Sequence, residues 1–423
     1  MRPADNIDPV YGLIRQGLVG VAQPASTGSW SAWAIAGRMV ILLGVTSLLT
    51  DISSEMVAAV LPLYLLYQLQ VSTLQLGIVD GLYQGCSGLV RLASGFVADR
   101  SGRPKDVAAA GYGLSALSRL GLLAAGGALF GIASSVLVDR IGKGIRTAPR
   151  DAVISLSVPT RNLGTAFGVH RFLDTGGAFA GPLVAFALLS LSPRGFDIIF
   201  VASFSIALVG LGVIVLLVEN PPSTRMAMGG WTSARAWARL VLQPRIRSLV
   251  LVAGLLALFT ASDAFVYIAL QRRGSLAVSF FPLLYVGTAL FYLLLALPAG
   301  HIADRLGRRR VFLFGQSLFV AIYALLLTQT DSCISVLVLP LLGAYYACTD
   351  GVLMAAASSD IDTRLRTSGL ALLTTVTSVA SLLSSVMIGA LWTVAGMDVA
   401  FAIVGAGFAL SLAFGCWSLR RVG

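Results

Sequence analysis

Apolar residues in this chain come in blocks of about twenty or more, and polar residues fall almost entirely between the blocks. A membrane-crossing helix needs about 20 consecutive, mostly apolar residues, and windows of that kind recur from Met39 to Leu419. They predict helices near 39–67, 75–98, 106–127, 130–152, 162–190 and 196–218, then near 248–270, 278–299, 308–328, 334–358, 366–393 and 398–418. The expected organisation is an N-terminal tail over 1–38, a six-helix half over 39–218, a linker over 219–247 and a second six-helix half over 248–423. The expected fold class is therefore an all-α membrane protein with twelve transmembrane helices.

The two halves repeat one plan. Gly95–Lys105 reads GFVADRSGRPK, and 205 residues later Gly300–Arg310 reads GHIADRLGRRR. Arg161-Asn-Leu-Gly164 and Arg366-Thr-Ser-Gly369 keep the same spacing further on. Parallel six-helix halves of this kind are a transporter architecture.

Composition agrees with a membrane chain: of 423 residues 57% are hydrophobic and 12% charged, and the mean hydropathy is +0.86. A net charge of +11 could suggest nucleic acid, but the basic residues lie in connections rather than in a patch interleaved with aromatics. Counted by alternate connections, Lys and Arg gather on one side, with the tail, the two repeated loops, the linker and the C-terminus. The positive-inside rule makes that side cytoplasmic, with both termini on it. The expected location is the bacterial cytoplasmic membrane, and Arg15 and Gln16 interrupt the one candidate signal peptide. In the linker, Trp231, Arg235, Trp237 and Arg239 fit either an amphipathic helix on the membrane surface or a plain tether. Cys86, Cys333, Cys348 and Cys416 have no CxxC spacing, and His170 and His301 stand far apart, so no metal site, disulfide framework or cofactor is expected. Neither a nucleophile–base pair nor a metal-ligand cluster is visible, which argues against an enzyme.

The repeated loops resemble the signature of the major facilitator superfamily, Gly-x-x-x-Asp-Arg-x-Gly-Arg-Arg/Lys. The first copy supplies Gly95, Asp99, Arg100, Gly102 and Arg103, with Lys105 displaced by Pro104; the second supplies Gly300, Asp304, Arg305, Gly307, Arg308 and Arg309. Arg140 to Gly144 resembles the Arg-x-x-x-Gly motif that members use near proton coupling. Gly177, Gly181 and Pro182 resemble the Gly-x-x-x-Gly-Pro motif of antiporting exporters, although Ala185 and Phe186 replace its trailing glycines. The helix 1 run TDISSEMVAAVLPLYL resembles a bacterial drug-exporter-like subgroup. The resemblance implies alternating access, a central cavity lined by helices 1, 4, 7 and 10, and a monomer. On their own chemistry, Asp99 and Asp304 can accept charge-assisted hydrogen bonds and latch helix ends, and the neighbouring arginines can meet anionic lipid headgroups.

About a dozen ionisable residues fall inside predicted helices. Each costs roughly 2.5–3.5 kcal/mol at a helix centre, so such groups face a cavity or one another. Asp51 and Glu55, four apart on helix 1, share a face; two carboxylates this close disfavour joint ionisation, so they read as a proton site or as structural braces. Helix 4 carries Asp139, Lys143 and Arg146 on one face with Arg140 beside them, and helix 5 adds His170, Arg171 and Asp174. Helix 7 has Asp263 and Tyr267; helix 10 has Asp350, Tyr345 and Tyr346. Asp80 reads as interfacial, Arg91 as part of the latch region, and Arg150 as a loop residue.

With no Walker-type phosphate loop, an ion gradient is the expected energy source. The leading expectation is proton-coupled export of a small organic molecule, with Asp51 and Glu55 as proton carriers and Arg140, Lys143 and Arg171 as counter-charges. The rivals are a proton-coupled importer of an anionic metabolite or siderophore-like compound, held by the bases of helices 4 and 5, and a non-transporting receptor or scaffold.

Overall fold

The computed structural model describes residues 29–101, 103–159, 162–192, 195–220, 244–274, 276–328, 332–360 and 366–422. The core of the predicted linker, 221–243, and most of the tail, 1–28, lie outside them. The described chain folds into twelve long helices, of which the seventh is broken. The first half contains α1 (Ser29–Leu63), α2 (Thr73–Ser101), α3 (Pro104–Ala124), α4 (Leu129–Ser157), α5 (Leu163–Leu191) and α6 (Phe196–Gly212). The second contains α7 (Pro244–Leu258 and Asp263–Gly274), α8 (Pro282–Leu306), α9 (Arg308–Leu327), α10 (Ser332–Asp360), α11 (Arg366–Ala395) and α12 (Met397–Val422).

Ten of these helical stretches are long and apolar enough to cross a membrane. The other two, α2 and α4, are equally long but carry the charges: Asp80, Arg91, Asp99 and Arg100 on α2, and Asp139 to Asp151 on α4. Charge inside a span is tolerated only where protein surrounds it; α4 packs inside the first half, and α2 lies between α4 and α11 of the second half. In the first half α1 lies along α5 and α6, and α4 lies between α2 and α3. In the second half α10 packs on α8 and α9, while α7 packs on α11 and α12. The halves meet mainly along α2–α11 and α5–α8.

Close helix approach explains the Gly-x-x-x-Gly run of α5. A side-chain carbon at Gly177 would stand 2.4 Å from the Leu48 carbonyl oxygen, and one at Gly181 would stand 2.8 Å from both Glu55 Cβ and the Ile52 carbonyl oxygen. The motif thus seats α5 against the part of α1 that bears Asp51 and Glu55. Small residues at such crossings let backbones touch, which is how helices associate in lipid.

The sequence reading takes helix 7 as continuous over 248–270, but the helix breaks between Leu258 and Asp263. The freed backbone groups find partners: Tyr323 Oη donates to the Phe259 carbonyl at 2.5 Å, Ala261 N donates to Tyr323 Oη at 2.8 Å, and Ser384 Oγ donates to the Thr260 carbonyl at 2.7 Å. Non-helical backbone at this depth requires such satisfaction. The break leaves Asp263 in the first turn of the second arm, where the helix dipole favours a negative charge. Helix 4 also differs from its expected end near 152, running on to Ser157 with Arg150 buried within it.

Candidate functional site

Two features stand out at the depth of the buried charges: an ion network inside the first half and a cavity between the halves. The network begins at Asp139 of α4, 4% exposed. Arg119 of α3 approaches its Oδ1 at 2.9 Å, and Arg140 donates from Nε to its Oδ2 at 2.9 Å. Arg119 Nη2 continues to Ser54 Oγ of α1 at 2.9 Å, and the Arg140 guanidinium lies 3.8 Å above the Tyr83 ring of α2. One carboxylate therefore ties α1, α2, α3 and α4 together.

One to two turns toward the repeated loops, Arg146 Nη2 reaches Asp51 Oδ1 at 3.2 Å, and its guanidinium lies 4.9 Å from the Tyr112 ring centre. Arg150 then pairs with Asp151 at 2.9 Å and Asp174 of α5 at 3.4 Å, and donates to Ser47 Oγ at 3.1 Å. Ser47 is also hydrogen-bonded to Tyr112 Oη and His170 Nε2, each at 3.1 Å.

The cavity has a volume of ≈ 250 Å³ and lies between mid-depth and the face opposite the repeated loops. Its wall includes Glu55 of α1, Asp80 and Tyr83 of α2, Asp263 at the α7 break, Tyr285 of α8 and Tyr346 of α10, set among aliphatic side chains; no Lys or Arg is among the described residues that line it. Tyr346 Oη donates to Asp263 Oδ1 at 2.6 Å. Asp80 accepts from Ser385 Oγ of α11 at 2.6 Å, a buried bond between the halves. On the far side of the cavity the halves are stitched by Thr73 Oγ1 to Thr393 Oγ1 at 2.8 Å, by Leu74 N to Thr393 Oγ1 at 2.9 Å, and by Tyr67 Oη to Gln271 Oε1. The hydrogen bonds that join described residues across the halves lie from Asp80 outward to that face, none nearer the repeated loops.

The sequence-predicted residues are therefore divided between these features. Asp51, Asp139, Arg140 and Asp174 enter the network, while Glu55 and Asp263 enter the cavity wall. Arg146 makes the direct contact with Asp51, while Lys143, expected to face the acids, bears on Asp51 at longer range without a salt bridge among the described residues. Arg171 is 65% exposed and stands 3.9 Å from Asp174. Asp350 is exposed on α10 and outside the cavity wall. Arg91 pairs at 3.8 Å with Asp151 rather than with a loop residue.

Four residues that the sequence reading passed over or placed elsewhere belong to these two features. Asp80, taken as interfacial, is buried against the opposite half, and Tyr83 and Tyr285 line the cavity. Arg150, taken as a loop charge, is 6% exposed. The spacing of Lys143, Arg146 and Arg150, three and then four residues, on a helix extending past Pro149 was the available signal for Arg150; Asp80 had none.

In the first repeated loop, Gly95, Asp99 and Arg100 fall on the last turns of α2, whose side chains are not described, and Gly102 lies outside the described residues. Arg103 pairs with Asp106 at 2.7 Å, and Lys105 Nζ donates to the Val215 carbonyl at 3.0 Å, tying the start of α3 to the π-helical turn Val213–Leu217 that continues α6. In the second loop, below Gly300, Arg305 ends α8 exposed and Gly307 turns the chain at φ 98°, a conformation that glycine adopts without strain. Arg308 donates to Asp304 Oδ1 at 3.3 Å and to the Ala355 carbonyl of α10 at 3.1 Å. Asp304 thus holds the arginine that fastens α9 to α10.

Two six-helix halves with a buried ion network and a cavity between them define a secondary membrane transporter, an integral membrane protein whose setting is the lipid bilayer. The chain belongs to the major facilitator superfamily, whose sequence profile, Major Facilitator Superfamily, matches residues 43–285 and 264–422. An uncharacterised MFS-type transporter of Methanocaldococcus jannaschii is 29% identical over 369 residues, covering 84% of this chain and 89% of that one. An uncharacterised protein of Mycobacterium tuberculosis is 28% identical over 300 residues, 69% of each chain. Among solved structures, the nucleoside transporter NupG superposes with a TM-score of 0.75 at 14% identity, covering 91% of this chain and 100% of that one. A D-xylose–proton symporter gives a TM-score of 0.70 at 17% identity over 89% and 96%. At these identities the structural likeness speaks for the fold.

Proposed function

We propose that the protein exports a small organic molecule in exchange for protons, acting as a monomer in a bacterial cytoplasmic membrane, with the repeated loops and both termini on the cytoplasmic side. The observation that carries this reading is the position of Glu55. Asp51, Asp139 and Asp174 each meet an arginine, whereas Glu55 lines the cavity and feels Arg140 only at longer range, with no salt bridge among the described residues. A carboxyl group on the wall of the cavity between the halves is placed to exchange a proton with whichever side the cavity faces. Asp51 is then the second carrier, released only when its bond to Arg146 opens.

Arg140 and Arg171 serve as counter-charges of the acids beside them rather than as substrate contacts. A wall with no lysine or arginine among its described residues favours this reading over an anion importer. The hydrogen bonds between the halves gather at the face away from the loops, which supports a state closed to the outside. Asp99 and Asp304 act as latches on the cytoplasmic face.

The test is flux in inside-out vesicles. A proton gradient is expected to drive uptake, and Glu55→Gln to lower it at least about tenfold while leaving ligand binding in detergent measurable. Uptake indifferent to a collapsed gradient would overturn the reading.

A further inference from the structure

The acids embedded among these helices separate by environment. Those buried within the first half each meet an arginine, whereas Glu55, Asp80 and Asp263 converge on the cavity from α1, α2 and α7 without one. From three directions, then, one small space is presented with carboxyl groups, and among the described residues lining it there is no lysine or arginine, Arg140 lying behind the Tyr83 ring. Three carboxylates are more than one exchanged proton neutralises, and each uncompensated charge in a membrane interior is costly. A positive guest relieves that cost.

The rest of the wall says what kind of guest. Ala58, Leu61, Leu65, Leu76 and Val79 supply aliphatic surface, and Tyr285 and Tyr346 supply ring surface; the Tyr83 ring already carries the Arg140 guanidinium. Aromatic rings beside carboxylates attract a cation by its charge and an apolar body by contact. The volume of ≈ 250 Å³ falls below the roughly 300–1,000 Å³ of sites for drug-sized ligands. That space suits one ring and a short ammonium arm. A bare metal ion is a poor fit, because no grouping of three or more His, Cys, Asp or Glu side chains able to hold one occurs among the described residues.

We propose that the cavity is a recognition site for a small arylalkylammonium, its charge shared by Glu55, Asp80 and Asp263. The inference rests on the transporter reading above and names the substrate class of that site. It also gives Asp80 a specific place. Its carboxylate bonds Ser385 across the two halves, so a cation drawn to Asp80 competes with that bond and favours parting of α2 from α11. The substrate's charge would thereby loosen the closed face.

The experiment is calorimetric binding to the purified full chain in detergent at one pH, using 2-phenylethylammonium, 2-phenylethanol and phenylacetate, three probes of similar shape with positive, zero and negative charge. The ammonium is expected to bind at least about tenfold more tightly than the alcohol, and phenylacetate not to bind. Asp263→Asn and Asp80→Asn are each expected to weaken the ammonium about tenfold and leave the alcohol unchanged, while Asp304→Asn, outside the cavity, changes neither. If one cavity variant fails to fold, the other carries the same comparison. Equal binding of ammonium and alcohol, tighter binding of phenylacetate, or no binding of any probe at millimolar concentration overturns the proposal. Because no gradient is involved, ammonium-selective binding with proton-indifferent flux would sink the coupling reading alone, and proton-driven flux without ammonium selectivity would sink this one alone.

Discussion

At the scale of single residues the decisive distinction lies between charges that hold the protein together and charges that are free to act. Asp139 meets two arginines that are each at most 3% exposed. Removing its charge leaves both guanidinium groups buried without an anion, and breaking a buried pair from one side costs about 3–5 kcal/mol. Asp139→Asn is therefore expected to lower the melting temperature sharply in detergent, to a degree that a doubly neutral Asp139→Asn/Arg119→Gln variant partly reverses. Lys143, half-buried and in no salt bridge among the described residues, bears on Asp51 only at longer range, and Lys143→Gln is expected to cost clearly less stability than Asp139→Asn. A melting curve for each variant separates the two. The sequence displayed all these charges but not their partners. Asp139, Lys143 and Arg146 share a helical face by spacing alone, and only the position of α1 decides that Arg146 and not Lys143 meets Asp51.

At the scale of elements, close crossings and one break shape the site. Gly181 sits where any side chain would press on Glu55 Cβ and the backbone of Ile52 and Met56. Gly181→Ala is expected to cost about 1–3 kcal/mol, the usual penalty of overpacking, and to shift Glu55 enough to depress flux. Gly168→Ala, on the same helix with nothing within 4 Å, is expected to be neutral or slightly stabilising. Thermal melts with a flux assay on both variants check this. The α5 motif was legible as a signature, and its structural use is to seat α1. The α7 break was not legible through hydropathy, because an apolar block stays apolar when the helix inside it breaks. Thr260-Ala-Ser-Asp263 does carry the residue types that start helices, and that local signal marks where the second arm begins.

At the scale of the molecule the question is which face opens. Thr73 and Thr393 touch across the halves on the face away from the repeated loops. With the four native cysteines replaced by serine, Thr73→Cys/Thr393→Cys is expected to form a disulfide on oxidation that stops transport and to regain flux on reduction. Undiminished flux with the bridge formed would mean that this face never parts. The loop contacts are weaker by nature: Asp304 is largely exposed, and exposed pairs contribute about 0–1 kcal/mol. Asp304→Asn is accordingly expected to leave the melting temperature within a degree or two while slowing turnover, with substrate binding intact. Asp99→Asn, its counterpart in the first loop, is expected to behave alike.

The sequence by itself determined the membrane setting, the count of helices, their division into two repeated halves and the family signature, because these rest on local properties: the length of apolar runs, the spacing of a motif, the sign of charges in connections. What the tertiary structure decided was pairing. Whether a buried carboxylate meets an arginine, a serine of the other half or an open cavity depends on which helix stands opposite, and helices far apart in sequence supply those neighbours. Asp80 shows the difference most plainly: in sequence it is one acid near the end of an apolar run, and in the fold it joins the two halves at the wall of the cavity between them.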